Sequence, residues 1–440
     1  MLPDEGTKGT VADLFQVRTV PFAFHGARLR FDLAATVFAS AGIDAGSALL
    51  LRHLQTVLKE QHAGVADSAA GGGIRRVLDL GCGHGVLGLT LLALRPECHV
   101  TLVDRDALAL AYTARNLTLN GLPPHQAHIT GSLGYDDVDR SQPFDLVVSN
   151  IPGKAGEEAI AELVAAPEPW GRAGTLVAVV VVAPLADQVR RVLAPDRFDL
   201  LLDKGTKAHQ VLIARRTAGG GASLPAGPAQ HSGFDAGRYN RGRSRFQAAD
   251  LVWEAETVTG IEEFDSLSHA TRLLRPALRG LRAGPCTVVN PGQGHRALIA
   301  ARSGQRLTDV VSRDLLALRA TARLLAANGV PPADPDSRDV NGDGRPIPPT
   351  AYRHGLNLPA PARFGTVIVH ADDKVHTPWL AHELRELITA GTGLQLVLTG
   401  RASLLGRLEA DLLSRHGGRL FYKQGRDGYR VVRYQYRPSA

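Results

Sequence analysis

The chain has 440 residues, 44% of them hydrophobic, too many for one core of ordinary size, so two domains of roughly 200 residues each are expected. Its three cysteines, Cys82, Cys98 and Cys286, are odd in number and lack C-x-x-C spacing, which argues against a disulfide scaffold or a zinc site and for a reducing, cytoplasmic setting. The formal charge of +7 is uneven: residues 1–216 hold 21 Lys and Arg against 23 Asp and Glu, while the rest hold 29 against 20.

That C-terminal basic surplus suits a polyanionic partner, most simply a nucleic acid. The longest apolar run, Thr175–Leu185, falls short of the roughly 18 to 20 residues of a membrane span, and the first ten residues lack an apolar signal core.

In chain order, Thr36–Leu54 begins with turn residues and continues as a leucine-rich helix, with Asp44 and Ser47 placed to cap it. "RVLDL" (Arg76–Leu80) reads as a buried strand, followed by the glycine turn "GCGHG", a helix through Leu94, a strand "HVTLVD" and a helix from Asp106 to about Leu119. "FDLVV" is a further strand that delivers "SNIPGKAG" (Ser149–Gly156) to a sheet end. Phe198–Arg216 reads as an antiparallel hairpin. Thr217–Ser232, rich in Gly, Ala and Pro with almost no charge, reads as a linker. The expected divisions are therefore 1–216, a linker at 217–232, and 233–440.

The second division repeats the first. "VDRDALALAYTARNLTLNG" (Val103–Gly121) lies over "VSRDLLALRATARLLAANG" (Val311–Gly329), sharing Arg105, Asp106, Leu108, Leu110, Thr113, Ala114, Arg115, Leu117, Asn120 and Gly121. "VLDLGCGHG" aligns with "VVNPGQGHR", setting Gly81 opposite Gly292 and Gly83 opposite Gly294, and "FDLVVSNIPGK" aligns with "FGTVIVHADDK". The second half also ends in a hairpin-like "LFYKQGRDGYRVVRYQYR". Strands alternating with helices, twice over, predict an α/β protein of two tandem domains, each a doubly wound, mostly parallel sheet closed by an antiparallel hairpin. In this alignment Asp79 becomes Asn290, Asp104 becomes Ser312, and Asn150-Ile151-Pro152 becomes His370-Ala371-Asp372. The polar set is lost while the scaffold is kept, which places chemistry in the first half.

Gly81, Gly83 and Gly85 permit a tight turn and close approach of a ligand to the backbone. Alone, that loop is ambiguous between dinucleotide and nucleoside ligands. Asp79 before it and Asp104 at the end of the next strand narrow it, since an acid there accepts hydrogen bonds from ribose hydroxyls. No Walker-type lysine follows, which argues against triphosphate hydrolysis.

Together, "VLDLGCGHGVLGLTLLAL", "VTLVDRDALALAYTARNLTLNG" and "FDLVVSNIP" resemble the seven-stranded, class I S-adenosylmethionine-dependent methyltransferases over most of Arg76–Pro152. The resemblance implies two tandem Rossmann-like domains, each a mostly parallel seven-stranded sheet with an antiparallel C-terminal hairpin, and S-adenosylmethionine as cofactor, with Asp79, Gly81 and Gly83 at its methionine end and Asp104 at its ribose. Ser132 stands where relatives carry an adenine-binding acid; Asp136 is an alternative. The segment around Asp44 and Ser47 looks like the "GVFS…D-x-GS-x-x-LLL" stretch of the guanine-N2 ribosomal RNA methyltransferases, which adds both residues to the implied cofactor site. That family also contains a duplicated, partly degenerate fold, but with the catalytic copy second; here it comes first.

An Asn-x-Pro turn suits methylation of an exocyclic base amine. The Asn oxygen and a nearby carbonyl accept the amine's N–H bonds and orient its delocalised lone pair, while Pro152 fixes the turn. Asn150 and Pro152 are the candidate catalytic residues. The stacking aromatic that usually follows is Gly153 here, so Phe24, His25 or Phe38 is the available substitute. Lys154 suits a phosphate or simply begins the next helix, and Arg241 and Arg243 in the Arg-aromatic stretch "RYNRGRSRF" suit phosphates and stacked bases. The expected substrate is RNA, with ribosomal RNA the leading class and guanine N2 favoured. A protein amide or amine, a small metabolite, and a non-catalytic RNA assembly role are the competitors. "DVNGDG" (Asp339–Gly344) lacks the final ligand of a calcium loop, and His84, His209 and His295 have no metal-like spacing, so no metal is expected.

Overall fold

The computed structural model describes residues 10–63, 73–167, 169–218, 233–330, 350–359, 365–371, 376–389, 393–410 and 417–437, without the side chains of 61–63. The calcium-like stretch, Asp372 and most of the expected linker lie outside them. The chain divides into two compact units, residues 16–239 and residues 1–15 with 240–440. These divisions differ from those read in the sequence at both ends of the first unit. Phe15 stacks at 5.0 Å on His376, whose ring bonds Leu14 O at 2.8 Å, so the segment ending at Phe15 belongs to the second unit. Residues 233–239 belong to the first, where Asp136 accepts the Gly233 and Phe234 N–H groups.

The first unit runs β1 (Gln16–Phe24), β2 (Ala27–Ala34), α1 (Ala45–Ala63), β3 (Arg76–Leu80), α2 (Val86–Leu94), β4 (His99–Asp104), α3 (Ala107–Leu119), β5 (Ala127–Gly131), β6 (Leu146–Asn150), α4 (Glu157–Ala165), β7 (Leu176–Val182), α5 (Ala186–Val192), β8 (Phe198–Gly205) and β9 (His209–Arg216). Its seven-stranded sheet has the order β5-β4-β3-β6-β7-β9-β8, with β9 antiparallel to both its neighbours. Leu146, Val148, Leu176, Ala178 and Val180 face one core with Leu50, Leu54 and Leu89 of α1 and α2. Val147, Val177 and Val179 face the other, with Ile160, Val164 and Val189 of α4 and α5. Period-two alternation with helices on both faces explains why these strands read as unbroken apolar runs.

The second unit repeats the plan: β10 (Asn240–Ala248), β11 (Leu251–Val258), α6 (His269–Ala277), β12 (Pro285–Val289), α7 (His295–Arg302), β13 (Arg306–Ser312), α8 (Leu315–Ala327), β14 (Ala351–His354), β15 (Thr366–Ala371), α9 (Thr377–Thr389), β16 (Gln395–Arg401), α10 (Ala402–Leu408), β17 (Arg419–Arg426) and β18 (Tyr429–Gln435). Its sheet order, β14-β13-β12-β15-β16-β18-β17, matches the first strand for strand.

Each unit also carries a two-stranded antiparallel hairpin, β1-β2 or β10-β11, that the sequence reading did not anticipate. Two of the shared residues hold these hairpins. Asn120 Nδ2 donates to Arg30 O in β2 at 2.7 Å, and its repeat mate Asn328 donates to Glu254 O in β11 at 3.0 Å. Arg115 pairs with Asp32 at 2.5 Å, and Arg323 with Glu256 at 3.0 Å. Asp106 and Asp314 cap α3 and α8 in the same way, accepting from Leu108 N and Leu316 N. These shared residues thus keep hairpin docking and helix capping the same in both copies.

Ladder ends correct the alignment of the glycine loops. Gly81 N and Asn290 N bond the equivalent carbonyls Val103 O and Val311 O, both at 2.9 Å. Gly85 and Gly294 both precede the loop-closing helix with left-handed backbones. Gly83 therefore corresponds to Gly292, Gly81 to Asn290, and Asp79 to the apolar Val288, a shift of two residues from the pairing that the sequence alone suggests.

Candidate active site

Strand order reverses direction between β3 and β6, and in an open α/β sheet the carboxyl ends at such a switch point form a ligand crevice. The glycine loop leaves β3 there and the Asn-Ile-Pro turn leaves β6. Ser149 Oγ donates to Leu80 O at 2.8 Å, tying the two strand ends together.

Asp79 is 1% exposed. Its Oδ2 accepts Gly88 N at 2.8 Å, while its Oδ1 is buried without a partner. Burial, opposed by the Gly88 hydrogen bond and reinforced by Asp104, raises its pKa to about 7. Gly81 and Gly83 have φ of 70° and 56°, and a Cβ on either would meet nothing within 4 Å. An open glycine cradle beside an unpaired buried carboxylate oxygen suits a ligand carrying a cationic N–H donor. Asp104 adjoins the cradle, accepting Gly83 N on Oδ2 at 3.0 Å and Asp106 N on Oδ1 at 2.9 Å.

Asn150 ends β6. Its Nδ2 donates to Asp44 Oδ2 at 2.8 Å and to Ser47 Oγ at 3.0 Å. Asp44 Oδ2 also caps α1, accepting Ser47 N at 2.8 Å. The resemblance groups Asp44 and Ser47 with the cofactor residues; in the structure both side chains accept from Asn150. A Cβ at Gly46 would sit 2.9 Å from Asp44 Oδ2 and 3.0 Å from the His209 ring, so any larger residue would have to displace one of these side chains. Pro152, Gly153 and Lys154 are exposed, and Pro152 O accepts Ala155 N at 3.0 Å.

The remaining expected residues divide. Ser132 is buried, donating to Gly134 O at 2.8 Å and accepting Asp137 N at 3.0 Å, so it is committed to its own loop. Phe38 is 70% exposed, in a turn where Thr36 and Ala39 hold left-handed backbones. That turn is anchored at both ends: Ala34 N donates to His84 Nε2 at 3.0 Å, and Asp44 meets Asn150. Phe24, by contrast, packs in parallel with Phe22 and edge-on to His25. Arg241 and Arg243 lie on β10 of the second unit, paired to Asp265 at 3.5 Å and Glu254 at 2.7 Å.

His84 was missed as a site element, although it sits inside the glycine motif. It is nearly fully buried, and burial lowers its pKa to about 4, which keeps Nε2 bare to accept Ala34 N–H. In the second unit Gln293 takes its place, accepting Val258 N at 3.0 Å.

The second unit's equivalent crevice is filled from within. Arg296 projects over Gly292, where a Cβ would lie 2.9 Å from its guanidinium, and pairs with Glu263 at 3.1 Å. Both side chains are about 5% exposed or less. His370, in the place of Asn150, is buried and bonded to Thr399 Oγ1 at 2.9 Å. Among the described residues no group of three or more His, Cys, Asp or Glu is placed to hold a metal, and no helix is long and apolar enough to cross a membrane.

Residues 28–182 match the family model described as "Methyltransferase small domain". Over 120 residues the chain is 37% identical to ribosomal RNA small subunit methyltransferase C of Stutzerimonas stutzeri, covering 27% of this chain and 30% of that one. It is 33% identical over 120 residues to ribosomal RNA large subunit methyltransferase G of Colwellia psychrerythraea, covering 27% and 26%. The chain thus spans about 30% of the length of the first of these relatives. Among solved structures, the T. thermophilus 16S rRNA N2 methyltransferase in complex with AdoMet and guanosine superposes with a TM-score of 0.61 at 18% identity, over 96% of this chain and 98% of that one. That likeness extends the shared fold across both units.

Proposed function

We propose that this chain, whose residues 28–182 belong to the methyltransferase small domain family of class I S-adenosylmethionine-dependent enzymes, methylates an exocyclic base amine of ribosomal RNA, guanine N2 being favoured. The residues present fit the cofactor. The unpaired Asp79 Oδ1 would take the ammonium of its methionine end, the open faces of Gly81 and Gly83 would lie against it, and Asp104 would receive its ribose hydroxyls. When bound, S-adenosylmethionine supplies a methyl group on a sulfonium, open to direct displacement.

The chain's own work is to hold the nucleophile. Asn150 donates both amide hydrogens to the α1 terminus, which leaves Oδ1 to accept an N–H of the target amine. That acceptor directs the nitrogen lone pair and stabilises positive charge developing on the nitrogen. Phe38 supplies the stacking face absent at Gly153, and Lys154 and the basic second unit supply phosphate contacts. The observation that carries this reading is the oriented Asn150 at the switch point beside the glycine cradle.

The test loads purified protein with labelled cofactor and total RNA, comparing wild type with Asn150→Ala. A loss on the order of a hundredfold in incorporation is expected for one lost transition-state acceptor. Equal incorporation by both proteins removes Asn150 from this role. Gly153 favours one competitor, a protein amide as acceptor, which is separated by whether RNase releases the label.

A further inference from the structure

The two donor bonds of Asn150 carry more than placement. A side-chain amide has nearly the same shape in either orientation, so only its partners decide whether oxygen or nitrogen faces a substrate. An ionised carboxylate can only accept. Asp44 Oδ2 lies 2.8 Å from Asn150 Nδ2, and Ser47 Oγ lies 3.0 Å from the same nitrogen. Asp44 is in turn fixed by its bond from Ser47 N, and Gly46 leaves the room for that geometry. Rotating the amide by half a turn would set its carbonyl against the carboxylate, an acceptor facing an acceptor.

Resting on the proposed reading of Asn150, we propose that Asp44 and Ser47 are positioning residues that lock the Asn150 amide with Oδ1 toward the acceptor substrate, thereby selecting amine nucleophiles that donate N–H. The start of α1 therefore sets polarity at a turn more than a hundred residues away in the chain. It also selects against substrates that present only a lone pair at that point, since two acceptors would then face each other. Asp44 and Ser47 bear on the acceptor side of the reaction, and their loss is read in turnover more than in cofactor affinity.

The experiment measures kcat, cofactor Kd and thermal midpoint for Asp44→Asn, Ser47→Ala and Ser47→Thr, each alone and with Asn150→Ala. Loss of a charge-assisted bond predicts a kcat reduced roughly ten- to a hundredfold in Asp44→Asn, with cofactor Kd within about twofold of wild type. Ser47→Ala falls less, and Ser47→Thr, which keeps the hydroxyl, recovers most of the loss. In the Asn150→Ala background neither change has a further effect, because both act through that amide. A raised cofactor Kd with kcat unchanged overturns the proposal, as does an undiminished effect in the Asn150→Ala background. A second readout is independent of turnover. The Asn150 amide protons, followed by nitrogen-15 NMR, should exchange slowly in wild type and at least about tenfold faster in Asp44→Asn, as expected for loss of a charge-assisted bond. Equal exchange overturns the lock, whereas a wild type inert on RNA with the exchange difference intact defeats only the RNA reading.

Discussion

Replacing Asp79 by asparagine tests the ligand cradle through its electrostatics. Burial lifts the Asp79 pKa from 3.8 to about 7, so between those values the folded chain holds a proton that the unfolded chain has released. A raised carboxyl pKa means that folding stability falls as pH rises through this window. Between about pH 5 and 8 the effect amounts to about 3 kcal/mol, at roughly 1.36 kcal/mol per unit. The Asp79→Asn side chain would keep an acceptor for Gly88 N without titrating. Urea unfolding of both proteins at about pH 5 and pH 8 should therefore show the variant gaining about 3 kcal/mol on wild type between the two. The cofactor provides a second arm. A cationic ammonium beside Oδ1 lowers the pKa again, so binding at about pH 6 should release a proton, measured by calorimetry in two buffers of different ionisation enthalpy. A variant-to-wild-type difference that is equal at both pH values, together with no buffer dependence, would refute the assignment of Asp79 as the ligand's anionic partner.

Three further outcomes follow from the same geometry. His84 has a lowered pKa, so its stabilising dock to Ala34 is full above about 6.5 and is lost as pH falls toward 4; His84→Gln, which copies Gln293, should flatten that acid limb in a pH series of melting curves. Gly46→Ala should lower turnover with little loss of melting temperature, because its Cβ would push against Asp44 and the His209 ring. Arg296→Ala leaves Glu263 buried without its cation and should destabilise the second unit by about 3 to 5 kcal/mol, read as an earlier unfolding transition.

Strands β3 and β6 and both glycine loops were legible in sequence because these strands are buried on two faces and so appear as apolar runs beside turn residues. The β1-β2 and β10-β11 hairpins were not legible. The exposed positions of β1 mix Arg18 and Thr19 with Val17 and Pro21, and "RYNRGRSRF" reads as a nucleic-acid contact until its pairing with β11 is seen. The loop alignment slipped by two residues because glycine identity drew Gly81 to Gly292. Backbone conformation places Asn290, with φ of 55°, in the position of Gly81. At the site, Asp79 and Asn150 could be found from their places at strand ends. The bond from Asp44 to Asn150 could not, since it joins residues more than a hundred positions apart and looks locally like an ordinary helix cap.

The Arg296–Glu263 pair in the second unit acts as a ratchet. A crevice that has recruited its own side chains is occupied at a fixed stoichiometry of one, whatever the concentration of any outside ligand. Clearing it requires losing both charges together, because removal of either one strands the other in the interior. Single substitutions therefore cannot walk this unit back to ligand binding without crossing an unstable intermediate. The duplicated half keeps this crevice closed with its own core, which leaves its surface free to change for other purposes.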